Sequence, residues 1–259
     1  MIDLPRSQYR GTKAYNKYLK QDMDAVGFYG PDEDRGVYLD MLPKLAKFLR
    51  KRAEKEDYQN VIVIEGRTGS GKSTLAMQLA LLLDPDFDIR ESYIYTMSDL
   101  WDKIRRAQGG IRGMSPVNLL DEGTVALNAK NSLRREDKTA IVMLQIMRSL
   151  NWTTIICVPS FGDLNKAIRE QLVDFRIMCP DKPLLDKNKF KPRGFFEVYR
   201  PKFPKFSEFG SIFWQLIGAG VYDDLPPDVR AAYRQVKLER QMQWAEDNLN
   251  GQENGESCS

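Results

Sequence analysis

Residues 66–73 of the 259-residue chain read G-R-T-G-S-G-K-S. They satisfy G-x-x-x-x-G-K-[ST] at every fixed position, and the residue types explain the chemistry. Gly66, Gly69 and Gly71 let the backbone curl and approach an oxygen atom with no Cβ in the way. The amides of that curl, through Arg67, Thr68 and Ser70, form a cradle for anionic oxygens at the start of a helix. Lys72 is placed to bridge the β- and γ-phosphate oxygens of a nucleoside triphosphate. Ser73 offers its hydroxyl to Mg2+, and Thr74 lies in reach of the α-phosphate. The pattern is a Walker A loop.

A second constellation follows at Val117-Asn-Leu-Leu-Asp121-Glu122. An apolar strand ending in an acid sets the carboxylate at the carboxyl edge of a parallel sheet, beside a phosphate loop. Asp121 would hold Mg2+ through its water shell, and Glu122 would polarise an attacking water. This Asp-Glu doublet favours hydrolysis over transfer to an acceptor, as in a kinase. The Asn-Lys-x-Asp that reads guanine is absent, since Asn165-Lys166 is followed by Ala167-Ile168, so ATP is the expected nucleotide. Farther along, Thr153–Val158 leads into Pro159-Ser160. Ser160 there either senses the γ-phosphate or caps the turn that follows.

These residues need a sheet to hold them. Val61–Ile64, Ser92–Thr96, Val117–Leu120, Thr153–Val158 and Phe175–Met178 read as short buried strands. Helical patterns alternate with them: 37–56, 72–83, from a Ser98 cap to 108, 135–150 and 163–173. Alternation of this kind predicts an α/β fold, a parallel sheet sandwiched by helices as in P-loop NTPases with a RecA/FtsK-like core. Beyond Cys179 the pattern breaks. The expected organisation is an N-terminal arm or cap at 1–35, the ATPase core at 36–180, a basic and aromatic hairpin with a helix at 181–250, and a disordered tail at 251–259.

Composition narrows the function by exclusion. There is no His, which rules out imidazole zinc sites and a His general base; the net charge is only +3, so any polyanion partner must be met by local clusters. Three Cys without a CxxC pair suggest a reducing compartment. The polar N-terminus does not read as a signal peptide. The longest apolar stretches, Leu75–Leu83 and Ile212–Tyr222, fall short of the ~20 residues that span a bilayer. A cytoplasmic protein, or one of the host cytoplasm if viral, is expected.

The stretch from Asn118 to Cys179 combines N-L-L-D-E, a basic loop with Lys130, Arg134 and Arg135, M-L-Q-I-M-R-S-L-N-W, T-T-I-I-C-V-P-S and L-N-K-A-I-R-E. In this it resembles the additional-strand P-loop ATPases of the FtsK/HerA type, with their Zot-like and viral packaging relatives. It departs from them in lacking the membrane span usual in Zot-like proteins and in carrying Pro159-Ser160 where many have a sensor Gln. The resemblance implies a Mg2+-dependent ATPase that moves or packages DNA as a homo-oligomeric ring, with Arg148 or Arg169 acting as an arginine finger across a subunit boundary. A replication-type helicase or loader ATPase is the alternative, and a P-loop kinase a more distant one. Outside the nucleotide site, K-N-K-F-K-P-R-G-F-F-E-V-Y-R-P-K-F-P-K-F (187–206) interleaves cations with aromatics. That suits phosphate contact with base stacking, and equally a hairpin with a solvated face.

Overall fold

The computed structural model describes residues 37–38, 41–108, 115–121, 135–180, 194–202, 213–222 and 224–253. The expected arm at 1–35, the Lys130–Arg134 part of the basic loop and residues 254–259 of the tail expected at 251–259 lie outside them, as do Glu122 and much of the 187–206 stretch; residues 251–253 of that tail instead end the last helix.

Among the described residues seven strands form one sheet: β1 (Val37–Tyr38), β2 (Asn60–Glu65), β3 (Val117–Leu120), β4 (Thr153–Val158), β5 (Phe175–Met178), β6 (Phe195–Lys202) and β7 (Phe213–Val221), in the order β1-β7-β6-β5-β2-β4-β3. The segment β5-β2-β4-β3 is parallel throughout. β4 therefore lies between β2 and β3, pairing Ile62 with Ile155 on one side and Leu119 with Ile155 on the other. This inserted strand separates the strand that leads into the glycine loop from the strand that ends at Asp121. The fold is that of a P-loop NTPase, a largely parallel sheet flanked by helices.

Alternation along the strands builds two cores. Ile62, Ile64, Ile155, Cys157 and Ile177 face one side with Leu75 and Leu79 of α2 (Lys72–Leu83), and with Leu45 and Leu49 of α1 (Met41–Lys55). Val61, Val63, Ile156 and Val158 face the other side. There they meet Leu100 and Ile104 of α4 (Met97–Gln108) and Leu144 of α5 (Arg135–Ile146). Strands covered on both faces read as continuous apolar runs, which is why they were legible in the sequence.

Four local readings change in three dimensions. Ser92–Thr96 is not a strand: Ser92 closes a short helix, α3 (Ile89–Ser92), and only Tyr93 bridges to Leu119. The cap of α4 is Thr96 rather than Ser98. Asp99 Oδ2 accepts from Thr96 N at 2.8 Å while Thr96 Oγ1 accepts from Asp99 N at 3.2 Å, a reciprocal capping box. The helix expected at 163–173 is a 3-10 turn (Phe161–Asp163) followed by a π-helical turn (Ile168–Leu172). Finally, β6 and β7 extend the sheet antiparallel from β5. The final helix, α6 (Pro227–Glu253), then crosses back over the site, burying Tyr233 and Val236 in the first core.

Candidate active site

The four parallel strands deliver their candidate residues to one sheet edge. β2 ends at Glu65 and the chain turns through Gly66–Gly71 into α2. Gly69 and Gly71 adopt φ of +83° and +93°, the left-handed region that favours glycine. At Gly71 a side chain would also collide with the hydroxyl of Tyr222, which follows β7 and donates to Ser70 O at 3.2 Å. Arg67, Thr68 and Gly69 are exposed at the crest of the loop, whereas Ser70 through Thr74 are half-buried. The Lys72 ammonium donates to the carbonyls of Gly66 (2.6 Å) and Arg67 (2.9 Å), so it lies across the mouth of the curl. Ser70 Oγ is buried with no hydrogen-bond partner among the described residues. Such a hydroxyl under a ring of amides is costly unless a ligand oxygen meets it.

Asp121, directly after β3, is 3% exposed. Its Oδ1 accepts from Ser73 Oγ at 2.9 Å, the contact that brings the two expected metal-binding residues together. Among the described residues no group of three or more His, Cys, Asp or Glu side chains could cage a metal. One hydroxyl and one carboxylate suit Mg2+, which keeps most of its water and is bound through few carboxylates together with substrate phosphates. The donor set therefore fits that ion. Behind Asp121, burial and then the carboxylate push the Cys157 thiol well above its ordinary pKa, and burial holds Cys179 at about 12. Both stay neutral, as packing groups.

Ser160 follows β4, and its hydroxyl accepts from Gly162 N at 3.3 Å, with Asp163 completing the box at Ser160 N (3.1 Å). It thus caps the turn at the edge where a sensor would stand. Arg148 belongs to a 3-10 turn after α5 (Met147–Leu150), and its side chain lies outside what is described. Arg169 is half-buried on the π-helical turn, with Nε lacking a partner. Glu122 lies outside the described residues.

Several residues at this edge had no signal in the sequence. Glu65 is 6% exposed; its Oε1 accepts from Arg176 Nε of β5 at 2.5 Å and its Oε2 from Phe161 N at 2.7 Å. It ties the strand before the phosphate loop to the turn after Ser160. Tyr222 supports Gly71 from below. Tyr233 and Lys237 reach in from α6, both donating to Asp121 Oδ2, Lys237 Nζ at 2.8 Å. Burial, followed by the negative charge of Asp121, raises the Tyr233 phenol far above its usual pKa and keeps it a donor.

No family model and no curated protein matches the chain. Among solved structures it is similar to the genome packaging NTPase B204 of Sulfolobus turreted icosahedral virus 2 in complex with ATP-gammaS. There the identity is 16%, with 62% of this chain and 98% of that one covered, at a TM-score of 0.39. A KaiC-like protein from the archaeon Pyrococcus horikoshii gives 15% identity over 64% of this chain and 90% of that one, at 0.36. A DNA replication initiation factor gives 17% over 55% and 47%, at 0.30. Among the described residues no helix is long and apolar enough to cross a membrane.

Proposed function

We propose that this chain is a Mg2+-dependent ATPase. The observation that carries the reading is the 2.9 Å hydrogen bond from Ser73 Oγ to the buried Asp121 carboxylate, directly under a glycine loop spanned by Lys72. Loop amides and Lys72 bind and orient the phosphates; Ser73 and Asp121 hold the ion. When bound, Mg2+ neutralises charge on the β- and γ-phosphates and fixes their geometry. Glu122, next in the chain, takes the proton of the attacking water. Ser160, at the end of β4, faces the same edge as sensor or as cap of its turn. Arg148 or Arg169 serves as a finger for a neighbouring subunit's phosphate.

The wider activity we infer is DNA translocation or genome packaging by an oligomer. The resemblance over Asn118–Cys179 and the cation–aromatic run at 187–206 support it. The deciding experiment measures ATP turnover with and without single- and double-stranded DNA, alongside mass measurement with ATP and Mg2+. Stimulation by DNA together with a nucleotide-dependent oligomer is the expected result; a flat response in both would favour a loader ATPase or a kinase. Glu122→Gln should retain ATP binding and stop hydrolysis. Undiminished turnover in that variant would remove Glu122 from the role of base.

A further inference from the structure

The two oxygens of Asp121 serve different masters. Oδ1 accepts from Ser73, whereas Oδ2 accepts from both the Tyr233 phenol and the Lys237 ammonium. Tyr233 and Lys237 are one turn apart and so share a face of α6. A carboxylate oxygen offers about two lone-pair sites, so α6 takes both of those on Oδ2. Lys237 is 24% exposed and Asp121 only 3%, which leaves their attraction poorly screened. A divalent ion drawn to Ser73, Asp121 and the phosphates places a second positive charge beside the same buried carboxylate. The metal and the ammonium compete for one partner.

Beyond Lys237, α6 meets the body through contacts at the surface. Among the described residues the ion pairs Arg90–Glu239 (3.0 Å) and Arg240–Asp99 (3.5 Å) are both partly exposed and hence weak. Trp244 stands edge-on to Tyr95 with centroids 6.1 Å apart, while Leu238, Met242 and Leu249 face solvent. The anchors on the N-terminal side are stronger, since Tyr233 and Val236 are in the core.

We propose that Lys237 is the resident counter-ion of Asp121, that a divalent metal arriving with nucleotide displaces its ammonium from Oδ2, and that this release loosens α6 beyond Val236. The inference rests on Ser73 and Asp121 being metal ligands, as proposed above. Lys237 is a positioning residue: it sets how strongly Asp121 is available to the ion and makes the last helix sensitive to the state of the site. Tyr233 carries no charge and remains as the pivot.

The test uses the full chain, Mn2+ as probe and a non-hydrolysable ATP analogue, comparing wild type with Lys237→Met, Lys237→Arg and Asp121→Asn. Bound Mn2+ is read by electron paramagnetic resonance, and hydrogen exchange is followed across residues 227–253. The gain in analogue affinity on adding Mn2+ should be about tenfold larger in Lys237→Met, the equivalent of one charge-assisted hydrogen bond that the ion no longer displaces. Lys237→Arg should return to the wild-type gain. In wild type, Mn2+ with analogue should speed exchange beyond residue 236, and analogue with EDTA should not. An unchanged or smaller gain in Lys237→Met, or slower exchange beyond residue 236, overturns the proposal. The underlying site is judged separately: if wild type binds Mn2+ with analogue and Asp121→Asn does not, that reading stands whatever Lys237 does. If wild type binds neither, both fall.

Discussion

In the proposed function, phosphate binding turns on Lys72. Its ammonium lies within 2.9 Å of two loop carbonyls and needs only to swing outward to meet phosphate oxygens. Lys72→Ala should weaken ATP binding by about 100-fold, the loss of charge-assisted contacts to two phosphates, as read by calorimetry. Gly71 is constrained twice, by its positive φ and by the Tyr222 hydroxyl. Gly71→Ala should cost about 2 kcal/mol in urea denaturation. Tyr222→Phe in the same chain should recover only part of it, because the backbone strain remains. Lys103 makes a different point. It is 1% exposed, donates to Val117 O at 3.2 Å and lies over the Trp152 ring; burial lowers its pKa from 10.5 to about 8. Between those values the unfolded chain binds a proton that the folded chain does not, so stability rises with pH across that window. The cost of burying the charge is fully present below pH 8. Lys103→Met should abolish that alkaline rise, and denaturation midpoints from pH 7 upward for the two proteins check it; parallel curves would refute it.

At the scale of elements, the site depends on contacts between strand ends. Glu65 joins β2, β5 and the turn after β4 through Arg176 and Phe161 N. The Arg176 guanidinium also lies 4.8 Å from the centroid of the Phe161 ring, which stands edge-on to Trp214 of β7. Arg176→Met leaves a buried carboxylate without its cation and should destabilise the fold by about 3 kcal/mol. Adding Glu65→Gln should restore most of that, a coupling that a double-mutant cycle measures directly. These elements were not equally legible. β2, β3 and β4 are short, mostly apolar runs buried without a break, and α2 follows its glycine loop and stops at Asp84-Pro85, so each is marked locally. β7 mixes Gly218 and Gly220 with Phe213, Trp214 and Gln215, and its burial alternates before becoming continuous. Without its partner β6 in view, that segment registers only as an apolar stretch too short for a membrane. Tyr93 pairs with a single residue of β3, a degree of pairing that propensity cannot resolve.

For the whole molecule, the proposed motor activity makes a prediction that composition cannot. With a net charge of only +3, DNA contact must come from local clusters. DNA-stimulated ATP turnover should therefore fall steeply between about 50 and 200 mM salt, while basal turnover changes little. Turnover measured with and without DNA across that range checks it. The sequence by itself determined the phosphate loop, the strand-terminal Asp121 and the alternating α/β plan. Those depend on residue types at short spacing, on local backbone freedom and on periodic burial. Only the tertiary structure decided that β4 separates β2 from β3, that Glu65 braces the turn after Ser160, and that α6 brings Tyr233 and Lys237 onto Asp121. Contacts between residues far apart in the chain leave no periodic trace in it. They exist because a hydrophobic face had to be covered, and covering it with Tyr233 and Val236 laid the last helix beside Asp121.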